Sequence, residues 1–197
     1  MISDRDAVLA QAATYQGKLP AFESRGTALA VYLSEIAGEL VVANEGTHNT
    51  FGWAVDFTAW PAGANEPAPH VTHPTLPPMH RGFRDIVIDV LPDLRKAVTG
   101  RRWHVVGHSL GGACALAMAG YMADEGEPPE SVFLFAPARV FLDAPDVLAG
   151  IPIKGWRCGG DIVPNVPPIY WRPLLTHFAG PADESSHHIS NFLGFIQ

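Results

Sequence analysis

Ser109 lies in the run Gly107-His108-Ser109-Leu110-Gly111, between the apolar stretch Trp103–Val106 and an Ala-rich stretch ending at Asp124. A serine at a sharp strand-to-helix turn has its hydroxyl lifted above a sheet edge, and Gly107 and Gly111 leave room for such a turn. A serine hydroxyl attacks a carbonyl only when a base takes its proton, so an acid and a histidine must accompany it. In this arrangement the chain order is Ser, then Asp or Glu, then His. Asp161 follows the apolar run Ile151–Cys158 and the pair Gly159-Gly160. That placement puts it at the C-terminal end of a strand, where the sites of α/β sheets collect.

The histidines downstream are His177, His187 and His188. His177 falls on or beside a strand, whereas the adjacent pair opens the final helix, and a loop position suits a catalytic base better. Neighbouring side chains point in different directions, so one of the pair faces Ser109; spacing alone leaves open which. Developing negative charge on the carbonyl oxygen needs two donors. The Leu110 N–H follows from the turn itself, and the Thr47 N–H in Asn44-Glu45-Gly46-Thr47 is the candidate for the second. Phe51, Trp53 and His108 are candidate substrate contacts, although a Phe/Trp pair serves a core equally well.

The elements that must hold these residues form an alternating pattern. Residues 4–15 have helical spacing, with Val8, Leu9, Ala12 and Ala13 on one side. Thr27–Ser34 and Gly38–Asn44 read as neighbouring strands. Six prolines between Trp60 and Met79 predict a surface loop. Residues 82–98 carry one broad apolar stripe and predict a helix kinked at Pro92. Trp103–Val106, Val132–Ala136 and Ile151–Cys158 predict strands, Ser109–Asp124 a helix closed near Gly126, and Ile189, Phe192, Leu193 and Ile196 a last amphipathic segment. Strands alternating with helices imply a mostly parallel sheet covered on both faces.

The chain has 197 residues, a fit for one domain over 1–197 with a sizeable core. With Lys+Arg 13 against Asp+Glu 20 and a net charge of −7, it lacks the clustered cations that nucleic acid requires. No apolar stretch approaches a membrane span, and the first residues lack the pattern of a signal peptide, so a cytoplasmic location is expected. Cys114 and Cys158 allow at most one disulfide, and buried free thiols are expected. His70, His73 and His80 are weak metal candidates without accompanying Cys or clustered Glu, so neither metal nor cofactor is expected. Asp85, Asp89 and Asp93 share a helical face expected in water.

Taken together, these motifs resemble the class 3 lipase family, the serine hydrolases that include fungal triacylglycerol lipases. Gly46-Thr47 looks like the family's oxyanion segment, and Trp53 with Asp56 resembles the spacing in its short lid. His80-Arg81-Gly82-Phe83 is similar to its entry into the helix before the nucleophile, and Gly107–Gly112 to the nucleophile segment itself. Asp161-Ile162-Val163-Pro164 with Pro167-Pro168 resembles its acid segment, and His188 with Phe192 its final histidine and following aromatic. The resemblance implies an α/β-hydrolase fold and hydrolysis of carboxylic esters, small or lipid, by Ser109, His188 and Asp161, with transient contact to a lipid surface. The chain departs from the family at Asn44 and Glu45, where an aromatic and an arginine are usual, so that loop must be supported differently. It is also shorter than the fungal lipases. Acyl transfer to an alcohol with the same triad, or a non-catalytic binding module, are the alternatives.

Overall fold

The computed structural model describes residues 1–24, 29–46, 67–68, 73, 75–181 and 184–196. Among them runs a seven-stranded sheet in the order β1-β2-β3-β6-β7-β8-β9. The strands are β1 (Phe22–Glu23), β2 (Ala30–Ile36), β3 (Glu39–Asn44), β6 (Trp103–His108), β7 (Ser131–Phe135), β8 (Ile153–Cys158) and β9 (Thr176–Phe178). A separate short pair joins β4 (Pro67–Ala68) to β5 (Met79–His80). The β1–β2–β3 edge is antiparallel, while β3, β6, β7, β8 and β9 are parallel neighbours. This is the mostly parallel sheet, covered on both faces, that the alternating pattern predicts.

Helices α2 (Arg81–Val98) and α3 (Leu110–Asp124) cover one face; α1 (Asp4–Thr14) and α4 (Ile189–Phe195) cover the other. The larger core cluster joins α2 and α3 to Leu40, Val42, Val105 and Leu134. The smaller one joins Val8 and Phe192 to Val41, Val106, Phe133, Phe135 and Trp156. Residues 40–42 and 105–106 thus supply both layers by alternation, and β3 and β6 carry consecutive apolar residues at Leu40–Ala43 and Val105–Val106 because neither face meets water. Helix α3 is buried from Leu110 to Met122. Its Ala and Gly residues let it lie close to the sheet beneath α2, and Cys114 and Cys158 are both free and buried within these layers.

Several elements differ from the sequence reading. On α1 the buried residues are Ala7, Val8, Gln11 and Thr14, while Leu9 is exposed. Polar Gln11 goes inside because its Nε2 donates to the Asn44 carbonyl at 3.0 Å, an interaction no hydrophobic pattern encodes. Helix α2 runs from Arg81 to Val98 with Pro92 inside it at an exposed position, as the apolar stripe over 82–98 predicts. The end of the proline-rich stretch is part of the interior, since Leu76 and Met79 are buried and Met79–His80 forms β5. His104 crosses the sheet from inside, 2.9 Å from Glu39 on β3 and 2.7 Å from the Ser131 hydroxyl on β7. The three aspartates of α2 are exposed as expected.

Phe83 opens α2 and is fully buried against the main core. Replacing it with Ala removes an aromatic ring where the packed layers cannot close the gap. Phe83→Ala is expected to lower unfolding free energy by about 3–5 kcal/mol, measured by urea denaturation.

Candidate active site

The β6–α3 junction has the shape its sequence requires. Ser109 is held at φ 60° and ψ −125°, a left-handed backbone conformation costly for a residue with a Cβ. Its N–H donates to the Phe135 carbonyl at 3.0 Å, and its own carbonyl accepts from Gly112, Ala113 and Ala138. The turn is possible only because its flanks are bare: a Cβ at Gly107 would strike the Gly111 backbone, and one at Gly111 would strike the Asn44 carbonyl at the end of β3. Leu110 is the first residue of α3, so its N–H has no acceptor within the helix and lies at the positive end of the helix dipole.

Gly46 lies against this turn. A Cβ there would come 3.0 Å from Ser109 Cβ and 2.8 Å from the His108 carbonyl. The loop after β3 and the serine turn are therefore in direct contact. Thr47, Phe51, Trp53 and Asp56 lie outside the described residues.

The acid and the base meet across the top of β8. Asp161 Oδ1 accepts from the Val163 N–H at 2.9 Å, and Oδ2 is 2.7 Å from His187 Nδ1. Both residues are buried. A carboxylate accepts only, so His187 Nδ1 carries the proton and Nε2 presents its lone pair. His187 Nε2 and Ser109 Oγ are both buried and have no hydrogen-bond partner among the described residues. Arg157 fixes the acid loop by donating to the Asp161 carbonyl at 2.9 Å and to Asn165 Oδ1 at 3.0 Å. Arg139 does the same from the other side, donating to the carbonyls of Pro164, Pro168 and Tyr170.

The histidine on Asp161 is therefore His187, which corrects the expectation of His188. His187 ends a short 3₁₀ turn over Glu184–His187, while His188 is the N-cap of α4 with extended backbone, φ −71° and ψ 137°. That change of backbone conformation sends the two side chains apart, and His188 is exposed. His177 is exposed on β9. His108 also needs correction as a substrate contact. Its ring is buried, with Nδ1 2.8 Å from the Tyr15 hydroxyl and Nε2 2.7 Å from the His187 carbonyl, so both nitrogens face inward. The His108 and His187 rings lie 4.7 Å apart.

The loop after β3 has supports that motif reading missed. The Tyr32 hydroxyl donates to Glu45 Oε2 at 2.6 Å, Asn44 Nδ2 donates to the Val106 carbonyl at 3.1 Å, and the Gly46 N–H donates to the Tyr15 hydroxyl at 3.0 Å. Tyr15, at the end of α1, carries no motif; its only sequence signal is a polar aromatic one turn beyond the buried Gln11. The weak metal candidates have protein partners. His73 Nδ1 is 2.7 Å from Asp124 Oδ2, and His80 Nδ1 accepts from the Phe83 N–H as the N-cap of α2. His70 lies outside the described residues, and among those described no group of three ligand-type side chains could hold a metal.

The profile of the lipase (class 3) family matches residues 41–171, more than half of the chain and inclusive of the serine and acid segments. The chain belongs to this family. A search of curated proteins finds no match. Among solved structures, the lipase from Rhizopus microsporus var. chinensis is 21% identical with a TM-score of 0.67, covering 98% of this chain and 80% of its own. The Rhizomucor miehei triacylglyceride lipase is 22% identical with a TM-score of 0.58, covering 80% of this chain and 63% of that one. A triacylglycerol lipase described as having a serine protease triad at its catalytic centre is 21% identical with a TM-score of 0.62, covering 82% of this chain and 65% of its own. The present chain thus spans under two thirds of the last two. At these identities the likeness is one of fold.

Two consequences can be measured. His187→Ala is expected to remove about 10³-fold or more of any serine-dependent turnover, while His188→Ala stays within about threefold of the parent. Near-equal losses in the two variants would contradict the pairing seen here. The second concerns acid. Burial lowers His80 to about 4 and drives His108 well below the ordinary histidine value, with His187 beside it adding to the effect. Both stay neutral in the fold and would take up protons once unfolded, so the unfolded chain binds more protons below about pH 6.5. Their contribution is complete above that pH and is lost as pH falls towards 4. Urea midpoints measured in steps from pH 7 to 4 should decline, and His80→Asn, which keeps a capping acceptor, should flatten the decline.

Proposed function

We propose that the protein is a carboxylic-ester hydrolase acting on lipid or small-molecule esters through Ser109, His187 and Asp161. The observation that carries this reading is the strained Ser109 turn together with a buried His187–Asp161 pair, the His187 carbonyl lying 2.7 Å from Nε2 of His108, the residue before Ser109; among the described residues Ser109 Oγ and His187 Nε2 have no hydrogen-bond partner. Membership of the class 3 lipase family supports it.

In this mechanism Ser109 Oγ attacks the ester carbonyl and gives its proton to His187 Nε2. Asp161 holds the ring in the productive tautomer and stabilises the imidazolium. The oxyanion is met by the Leu110 N–H and, on this proposal, by the Thr47 N–H. As the tetrahedral intermediate collapses, the alcohol leaves with the proton from His187, and an acyl group stays on Ser109. Water, deprotonated by His187, then attacks the acyl carbon, and the acid departs as the serine regains its proton. Loss of one oxyanion donor should reduce turnover by about 10²–10³. Transient contact with a lipid surface would present the ester to the site.

The test is hydrolysis of p-nitrophenyl esters from acetate to palmitate by the parent protein, Ser109→Ala and Asp161→Asn. Ser109→Ala should abolish turnover, and Asp161→Asn should lower kcat by about 10³–10⁴. The chain-length profile distinguishes an esterase from a lipase, and added alcohol reveals acyl transfer. A Ser109→Ala protein that kept more than a few per cent of the rate would sink the reading.

A further inference from the structure

We propose that Tyr15 is a positioning residue whose hydroxyl joins the Glu45–Gly46 loop to the His187 backbone, with Tyr32 as a second brace on Glu45. The proposal rests on the hydrolase reading above and extends it to what holds the two sides of the site in register. It concerns residues outside the triad.

The contacts form one chain of hydrogen bonds. The Gly46 N–H donates to Tyr15 Oη at 3.0 Å, Tyr15 Oη is 2.8 Å from His108 Nδ1, and His108 Nε2 is 2.7 Å from the His187 carbonyl. Their polarity follows from chemistry. A carbonyl accepts only, so His108 Nε2 carries the hydrogen and Nδ1 of the neutral ring accepts. The Tyr15 hydroxyl must then donate to His108, which leaves its oxygen to receive the Gly46 N–H. Burial agrees with this order, since it disfavours both a charged His108 and an ionised Tyr15.

The chain crosses four elements. Tyr15 caps α1, Gly46 follows β3, His108 ends β6, and His187 precedes α4. At one end lies Gly46, whose backbone is packed against Ser109 Cβ and beside which a larger residue has no room. At the other lies the backbone of the residue that holds Asp161. Movement of either side relative to Ser109 must stretch a bond through Tyr15. Beside it, the Tyr32 hydroxyl reaches Glu45 Oε2 at 2.6 Å from the neighbouring strand. Glu45 is buried. Two phenols thus brace this loop from α1 and β2. Without the Tyr15 hydroxyl, the Gly46 N–H and His108 Nδ1 each lose this partner in a dry interior.

The direct test is Tyr15→Phe, which keeps the ring on the edge of His108 and removes only the oxygen. A fall in kcat of about tenfold with KM unchanged is expected, smaller than the loss of a donor that touches the oxyanion. Tyr32→Phe should cost about threefold, and the two together more than either. A Tyr15→Phe kcat within twofold of the parent, or a raised KM at constant kcat, overturns the proposal. Should Tyr15→Phe fail to fold by circular dichroism, His108→Asn cuts the same chain at its next link and carries the same kcat test. A second readout needs no turnover. In a Ser109→Ala background, amide hydrogen exchange at Gly46 should accelerate about tenfold on Tyr15→Phe while Val41–Ala43 keep their protection. Unchanged exchange at Gly46 overturns the brace. A parent protein inert towards every ester, yet with Gly46 protection dependent on Tyr15, would refute the hydrolase reading and leave the brace standing.

Discussion

Ser109 occupies a backbone conformation that costs about 1–3 kcal/mol for a residue with a side chain, and the surrounding fold compels it. Phe135 on β7 fixes its N–H, and three amides from α3 and the loop after β7 fix its carbonyl. Beneath it, Gly111 rests on the end of β3. These contacts come from three parallel strands and the helix that follows the middle one. The parallel sheet therefore has a local purpose: it brings the ends of β3, β6 and β7 to one edge, where the turn can be gripped from both sides. An Ala-rich α3 buried from Leu110 to Met122 belongs to the same requirement, because larger residues would hold the helix away from the sheet and open the turn.

The acid side is fixed by different means. The loop from Asp161 to Tyr170 has little regular structure, and arginines substitute for it. Arg157 and Arg139 donate to the carbonyls of Asp161, Pro164, Pro168 and Tyr170, so a proline-rich segment poor in backbone donors still has its acceptors satisfied. Asp161 is left with one backbone donor and one histidine, a geometry that keeps His187 oriented. The same economy governs the smaller core face, where Gln11, Tyr15 and His108 are placed among apolar residues and bonded to the main chain or to one another.

Local chemistry in the chain was sufficient for much of this. A Gly-x-Ser-x-Gly run can only be a tight turn when a buried strand precedes it and a small-residue helix follows, so the position of Ser109 was readable. Asp161 after Gly159-Gly160 was readable for a similar reason, since a strand end followed by flexible residues places a carboxylate at the active edge. Short apolar runs located β3, β6 and β8, an Ala-rich run located α3, and a helical apolar stripe located α2, each to within a few residues, because burial selects apolar and small residues directly. The inward face of α1 was not readable: Gln11 and Thr14 replace apolar residues there, and their partners are backbone groups, 33 residues away in the case of Gln11.

The choice between His187 and His188 shows where the sequence by itself stops. It determined that the candidate histidine partner of the acid lies near the final helix, since chain order and loop position narrow the field to an adjacent pair. Only the tertiary structure decided which, because a 3₁₀ turn ends at the first and an extended N-cap begins at the second. One residue of register turns a side chain from the buried acid to the solvent, and nothing in the composition of the pair records that register. The same holds for Tyr15, whose meeting with Gly46 and His108 depends on how α1 lies on the sheet. Motifs record chemistry that is local in the chain; contacts between distant elements exist only once the layers have packed.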